Sequence, residues 1–280
     1  MVKITKPIDN PKEVFETCIS NFRDEVFKSK LKSVGTYIES EANSYDANAS
    51  LNNLSSIPQQ TNVNGIISVD DMKKVYEQKF VKKGQPGRKY YEKLRLSAKN
   101  NICPLCNQRT VTTLDHVLPK TLYPSFSVTP FNLIPACADC NKIKDTYKPS
   151  TAQEEILHPY YDDISFIQYL YAKFDERIPI SIDFYITSSN PQTMLEKRLQ
   201  KHFELFKLNK LYTANAAEEL SNIQYRLKRL FVSSGENGVK EYLQEEFESR
   251  YENNKNSWQT AMYKVLSESD WFCNGGFGIE

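Results

Sequence analysis

Two cysteine pairs, Cys103-Pro-Leu-Cys106 and Cys137-Ala-Asp-Cys140, bracket the chemically richest stretch of this 280-residue chain. Between them lies Leu114-Asp115-His116-Val117-Leu118-Pro119-Lys120, then Asn132-Leu133, and Asn141 directly follows the last cysteine. A CxxC pair lets two thiolates reach one ion from a tight turn, and two pairs complete the tetrahedral shell that zinc prefers. The 30 residues between the pairs, 107–136, exceed the usual zinc-ribbon spacing, so a Zn²⁺ ion would pin together the two ends of a small subdomain. Disulfides are the alternative. The residues after Met1, VKITKPIDNPKEVF, hold no apolar run that could act as a signal peptide. No stretch approaches the ~20 apolar residues of a membrane span. The expectation is therefore a cytoplasmic chain with no membrane partner, whose thiols stay reduced and free to ligate metal. Cys18 and Cys273 stand alone and read as buried thiols.

A histidine beside a carboxylate, inside such a clamp, points to hydrolysis of a phosphodiester. That substrate is anionic and resists attack, so its cleavage needs an oxygen-liganded divalent cation and a general base. It also needs a partner that holds the base in the right tautomer. Asp115 supplies a hard oxygen suited to Mg²⁺ or Mn²⁺. His116, next in sequence, would point the other way in a flat strand, so the strand must twist or bend. Asn132 can bond backbone groups and pin a hairpin, and Asn141 can offer a second oxygen to the cation.

These residues resemble an HNH endonuclease of the ββα-metal type, in order, spacing and flanking cysteines, over about 60 residues of the chain. The resemblance implies His116 as general base, Asp115 and Asn141 as ligands of the catalytic Mg²⁺ or Mn²⁺, and Asn132 as the brace of the loop. It implies structural zinc on Cys103, Cys106, Cys137 and Cys140. Many members carry histidine where Asn141 stands, and asparagine there also occurs in active members. More weakly, His158-Pro-Tyr-Tyr-Asp-Asp and Trp271-Phe-Cys-Asn-Gly-Gly resemble standalone HNH proteins of bacterial anti-phage defence systems. In Septu-type systems a nuclease of this kind assembles with an ATPase.

The elements that must position these groups follow from pattern. Asn10-Pro11 reads as a helix start, and Phe15, Cys18, Ile19, Phe22, Val26 and Phe27 recur at helical spacing to about Ser33. Residues 40–66 read as a weak helix followed by a loop. Ser68 can cap a helix from Val69 to Val81, ended by Gly84 and Gly87, and a second, basic helix runs from about Arg88 to Ala98. Thr110–Val117 reads as a strand, Phe131–Pro135 follows a loop, and Ala138–Tyr147 is helical. Ile178–Ile186 alternates as a strand. Pro191 opens helical periodicity through Phe206, and further helices are expected over Ala214–Val232, Gly238–Asn253 and Trp258–Ser267. The expected fold is α+β and mainly α, with a zinc-stapled ββα-metal core at 101–160 between helical regions at 1–100 and 161–280.

A net charge of +1 carries no global nucleic-acid signature. Locally, Lys82, Lys83, Arg88, Lys89, Lys93, Arg95 and Lys99 face a single acid, Glu92, with Tyr90 and Tyr91 among them. Such a stripe can contact phosphates or be a solvated helix face. Arg88, Lys89, Lys120, Lys142 and Lys144 are the expected nucleic-acid contacts. Asp145, one turn past Asn141, could reach the same metal or pair with a lysine. His158 and His202 read as structural, and Phe203, Phe206, Tyr212 and Phe231 as core. The function expected is a DNA endonuclease, the effector of a defence system with a partner ATPase. An RNA-cleaving toxin (tRNA its substrate) and a non-catalytic zinc-stapled binding module are the alternatives.

Overall fold

The computed structural model describes residues 1–187 and 193–278. They form two compact units, Met1–Asp163 and Ile164–Glu280. The architecture is α+β and mainly helical, with three separate two-stranded antiparallel sheets among the described residues. No helix among them is long and apolar enough to cross a membrane.

The first unit begins with α1 (Pro11–Ile19), whose start is fixed by Asn10: its side chain accepts from the backbone N–H groups of Lys12 and Glu13. The single helix expected as far as Ser33 is in fact two. Asp24 accepts from the N–H of Phe27 at 2.9 Å and so caps a new helix, α2 (Glu25–Ser33). A capping aspartate competes with continuation of the preceding helix, and Val26 is left 71% exposed rather than on the packed face. Helix α3 (Gly35–Ser50) covers more than the weak helix expected from 40 onward. A short hairpin, β1 (Asn62–Val63) and β2 (Ile67–Ser68), follows.

Ser68 caps α4 (Val69–Lys74) by accepting from Asp71 N–H, and the chain continues as a wider π-helical segment, Val75–Val81. The basic helix α5 spans Arg88–Arg95. Gly87, just before it, has no room for a side chain: a Cβ there would sit 2.5 Å from Cys18 Sγ and 2.7 Å from Lys79 O. That close approach of backbone to α1 is what glycine permits.

Strand β3 (Thr113–His116) pairs antiparallel with β4 (Leu133–Ala136), Asp115 opposite Ile134 and His116 opposite Leu133. Helix α6 (Ala138–Lys144) follows β4 at once and ends at Asp145, whose φ is 45°. Leu114 and Leu133 of the hairpin join one core with Val14, Phe15, Cys18 and Phe80. The helical N-terminal segment is therefore the platform against which the hairpin is held. Each such side chain contributes about 1.5–3 kcal/mol by leaving water.

The second unit holds a hairpin, β5 (Leu170–Phe174) with β6 (Ile182–Ile186); β5 lacks a clean alternation and was not expected from sequence. Helices α7 (Met194–Leu205), α8 (Leu208–Asn254) and α9 (Trp258–Ser267) follow. The two helices expected over Ala214–Val232 and Gly238–Asn253 both lie within α8, which breaks between them at Gly235 (φ 63°). Pro191 lies outside the described residues, and Thr193 caps α7. Both strands are tied by side chains: Asn209 accepts from Phe184 N–H, and Asn256 accepts from the N–H groups of Tyr169 and Leu170. Occupied edge groups do not recruit another strand. Phe203, Phe206 and Tyr212 are buried.

Candidate functional site

The four cysteines are gathered by two turns that meet beside the hairpin. Asn107 N–H bonds Cys103 O at 2.8 Å, closing the first knuckle, while Cys103 N–H bonds Arg109 O at 2.8 Å. In the second knuckle Cys137 caps α6, its sulfur accepting from Cys140 N–H at 3.3 Å. All four sulfurs lie within 4.8 Å of one another, and Cys106 Sγ stands 4.0 Å from Cys137 Sγ. Zinc bonded to four thiolates at about 2.3 Å places the sulfurs about 3.8 Å apart, so the quartet fits that ion closely. None of the four is in a disulfide, and all are buried. Cys18 and Cys273 are buried and unbridged too, and burial pushes the Cys18 thiol up to about 12.

Asp115 and His116 end β3 with little solvent contact, 3% and 7% exposed. One carboxylate oxygen of Asp115, Oδ1, lies 3.5 Å from Lys144 Nζ. The other, Oδ2, is buried with no hydrogen-bond partner. A bare carboxylate oxygen in a dry place costs free energy unless a cation or donor meets it, so this oxygen suits a hard divalent ion. Burial pushes the Asp115 carboxyl up to about 6, against the pull of the Lys144 ammonium.

His116 Nε2 lies 2.9 Å from the carbonyl oxygen of Ser127. A carbonyl only accepts, so Nε2 carries the hydrogen and Nδ1 carries the lone pair. Burial first, and the Lys120 charge second, hold the imidazole down at about 3. It is neutral at physiological pH, the state a general base requires.

Asn132 is wholly buried and braces the loop between the strands. Its Oδ1 accepts from Leu118 N–H at 2.7 Å; its Nδ2 donates to Leu118 O at 2.9 Å and to Phe126 O at 3.3 Å. Asn141 is half-buried in α6, one turn ahead of Lys144. Residues three apart share a helix face, and Lys144 reaches Asp115 from that face.

The lysines and arginines scatter. Lys144 is 1% exposed, its ammonium donating to His116 O at 2.5 Å, so it sits beneath the hairpin where no phosphate reaches it. Lys142 is exposed. Lys120 Nζ stands 5.0 Å over the Tyr76 ring. Arg88 is engaged with Glu92, Val81 O and the Tyr91 ring, Arg95 with Glu92, and Lys93 with Asp9. Lys82, Lys83, Lys89 and Lys99 of the stripe are exposed. His158 is buried against Tyr45, its Nε2 3.1 Å from the phenol oxygen. Asp145 is exposed.

Two neighbours of His116 carry no signal in the sequence. Ser127 contributes a main-chain carbonyl, which no residue type signals. Tyr76, from the π-helical segment, packs its ring edge-on at 4.6 Å from the imidazole.

Comparison with known proteins adds two relationships. Over 230 residues, 77% of this chain and 77% of the relative, it is 31% identical to protein ea31 of Escherichia phage lambda. Over 92 residues, 30% of this chain and 35% of the relative, it is 33% identical to Septu protein PtuB of Bacillus thuringiensis. No family model matches the chain, and no solved structure matches it.

Proposed function

The chain belongs to the family of protein ea31 of Escherichia phage lambda, and we propose that it is an HNH endonuclease hydrolysing phosphodiester bonds in DNA. The observation that carries the reading is the end of β3. There, a neutral imidazole with its tautomer set by Ser127 O adjoins a carboxylate with one bare buried oxygen. The hairpin and α6 would then be the ββα-metal core, with zinc on Cys103, Cys106, Cys137 and Cys140.

Asp115 and Asn141 would hold the catalytic Mg²⁺ or Mn²⁺. When bound, that ion stabilises the charge that builds on the phosphate and on the leaving oxygen. The remaining work belongs to the chain. His116 Nδ1 takes a proton from water; the hydroxide attacks phosphorus, and the bond to the leaving oxygen breaks. Ser127 O keeps Nε2 protonated, so only Nδ1 can accept. Asn132 fixes the loop that carries this carbonyl, through its bond to Phe126 O next to it in sequence. The exposed Lys82, Lys83, Lys89, Lys99 and Lys142 are available to the phosphate backbone, a contact that reads charge and not base identity.

The similarity to a Septu protein supports a place as nuclease effector of an anti-phage defence system; an ATPase partner is a further part of the proposal, carried by the family resemblance alone. Digestion of plasmid DNA and total RNA side by side, with Mg²⁺ or Mn²⁺, tests the substrate: DNA is cut and RNA is spared. Cleavage of RNA alone would replace the assignment by an RNA-cleaving toxin. Co-purification of an ATPase from the native host tests the partner.

A further inference from the structure

We infer that Tyr76, from the helical segment preceding the cysteine module, is a positioning residue for the general base: its ring and the Ser127 carbonyl together fix the His116 imidazole. The inference rests on the endonuclease reading of His116 and goes beyond the motif that reading uses, since Tyr76 lies 40 residues ahead of the histidine.

Among the described residues the imidazole has one hydrogen bond, from Nε2 to Ser127 O at 2.9 Å. A single bond leaves a ring free to swing about that contact. The second constraint is Tyr76, with ring centroids 4.6 Å apart and planes at 61°, an edge-to-face contact that suits two π-systems. Tyr76 is itself immobilised. It is 7% exposed, stacks on Phe80 at 5.7 Å, and Phe80 meets Tyr91 edge-on at 5.9 Å. Phe80 is completely buried in the core shared with the hairpin. A file of rings thus runs from the core to the base.

The backbone explains how the tyrosine gets there. The π-helical segment Val75–Val81 widens the turn relative to an α-helix and re-aims the side chains it carries, a device common at functional sites. Lys120 closes the arrangement, its ammonium 5.0 Å over the Tyr76 ring. The tyrosine therefore also holds the Lys120 ammonium in place beside the imidazole.

The test uses Tyr76→Phe and Tyr76→Leu in the full chain. Cleavage of a short duplex DNA with Mn²⁺ should give, for Tyr76→Phe, a kcat within twofold of wild type, because the ring is kept. Tyr76→Leu should lose tenfold or more in kcat with KM unchanged. The chain has three histidines, so long-range proton–nitrogen spectra of the imidazoles give a readout independent of activity. In Tyr76→Leu only the His116 signals should shift, with His158 and His202 as internal controls of folding. Unchanged kcat in Tyr76→Leu, or unmoved His116 signals, overturns the inference. Displacement of all three histidines together does so too, because it reveals mere packing. Should Tyr76→Leu not fold, Tyr76→Met carries the same test. Wild-type protein that cuts no nucleic acid would sink the endonuclease reading, while the imidazole spectra still decide whether Tyr76 fixes the ring.

Discussion

Lys144 and Asp115 form an ion pair in the interior: 3.5 Å separates Nζ from Oδ1, and the two side chains are 1% and 4% exposed. The lysine is anchored less by the carboxylate than by the backbone, since His116 O accepts from it at 2.5 Å. The ammonium thereby ties the last turn of α6 to the end of β3 and turns Oδ2 of Asp115 away as the uncommitted oxygen. Removing one partner of such a pair strands a buried charge, at about 3–5 kcal/mol. Lys144→Met should therefore destabilise by that amount in urea unfolding, and Lys144→Met with Asp115→Asn should recover most of the loss. Additive effects in this double-mutant cycle would show that the two do not interact.

Asn132 makes three side-chain hydrogen bonds from a fully buried position. Asn132→Ala leaves the Leu118 amide and carbonyl without side-chain partners, while Phe126 O keeps the Thr129 N–H, a loss of about 2–4 kcal/mol for buried groups left bare. Amide exchange should accelerate in residues 117–132 and remain slow in α9. Uniform acceleration across the chain would contradict a local brace.

Much of this site is legible in the sequence because it is local. The CxxC pairs, the Asp-His step and the asparagine before β4 lie within one short stretch, and antiparallel pairing brings near residues together. Lys144 was not legible in its role. As one of several lysines in a helix it reads as a phosphate contact, and only the seating of α6 beneath the hairpin buries it. Tyr76 carries no signal either, because a π-helical turn has no residue signature and the contact spans 40 positions. The same limit explains the N-terminal helices. Apolar spacing continues through Val26, but Asp24 caps a new helix and the periodicity conceals the break.

Folding stability should depend on pH through His116, whose folded value of about 3 lies below the ordinary 6.5. The unfolded chain binds the proton more tightly, so stability from this group is complete above pH 6.5 and is lost as pH falls towards 3. The full loss is on the order of 5 kcal/mol. Asp115 runs the other way: its raised value of about 6 means stability falls as pH rises from 3.8 to 6. Subtracting the unfolding free energies of His116→Asn from those of wild type isolates the histidine. That difference should be flat above pH 6.5 and decline below it; a difference flat from pH 4 to 8 would contradict a neutral, buried imidazole.

Thiolate ligation is testable by metal exchange. Replacing the native ion with Co²⁺ should give the intense near-ultraviolet bands of cobalt–thiolate bonds at one ion per chain. Stripping the metal under reducing conditions should lower Tm by roughly 10 °C or more, since a structural ion's binding energy is folding energy. Cys137→Ser keeps a capping group for α6 but removes one of the four thiolates, so the cobalt bands should weaken. Retention of wild-type Tm after metal removal would show that the quartet is not a staple.

The most direct test of the account is cleavage of supercoiled plasmid by wild type and His116→Ala with Mg²⁺ or Mn²⁺, with zinc content measured in both. The account predicts that wild type nicks or cuts the plasmid only with the divalent ion present, while His116→Ala keeps one zinc per chain and loses at least a thousandfold in rate. Undiminished cutting by His116→Ala, or no cutting by wild type with either ion, would contradict it.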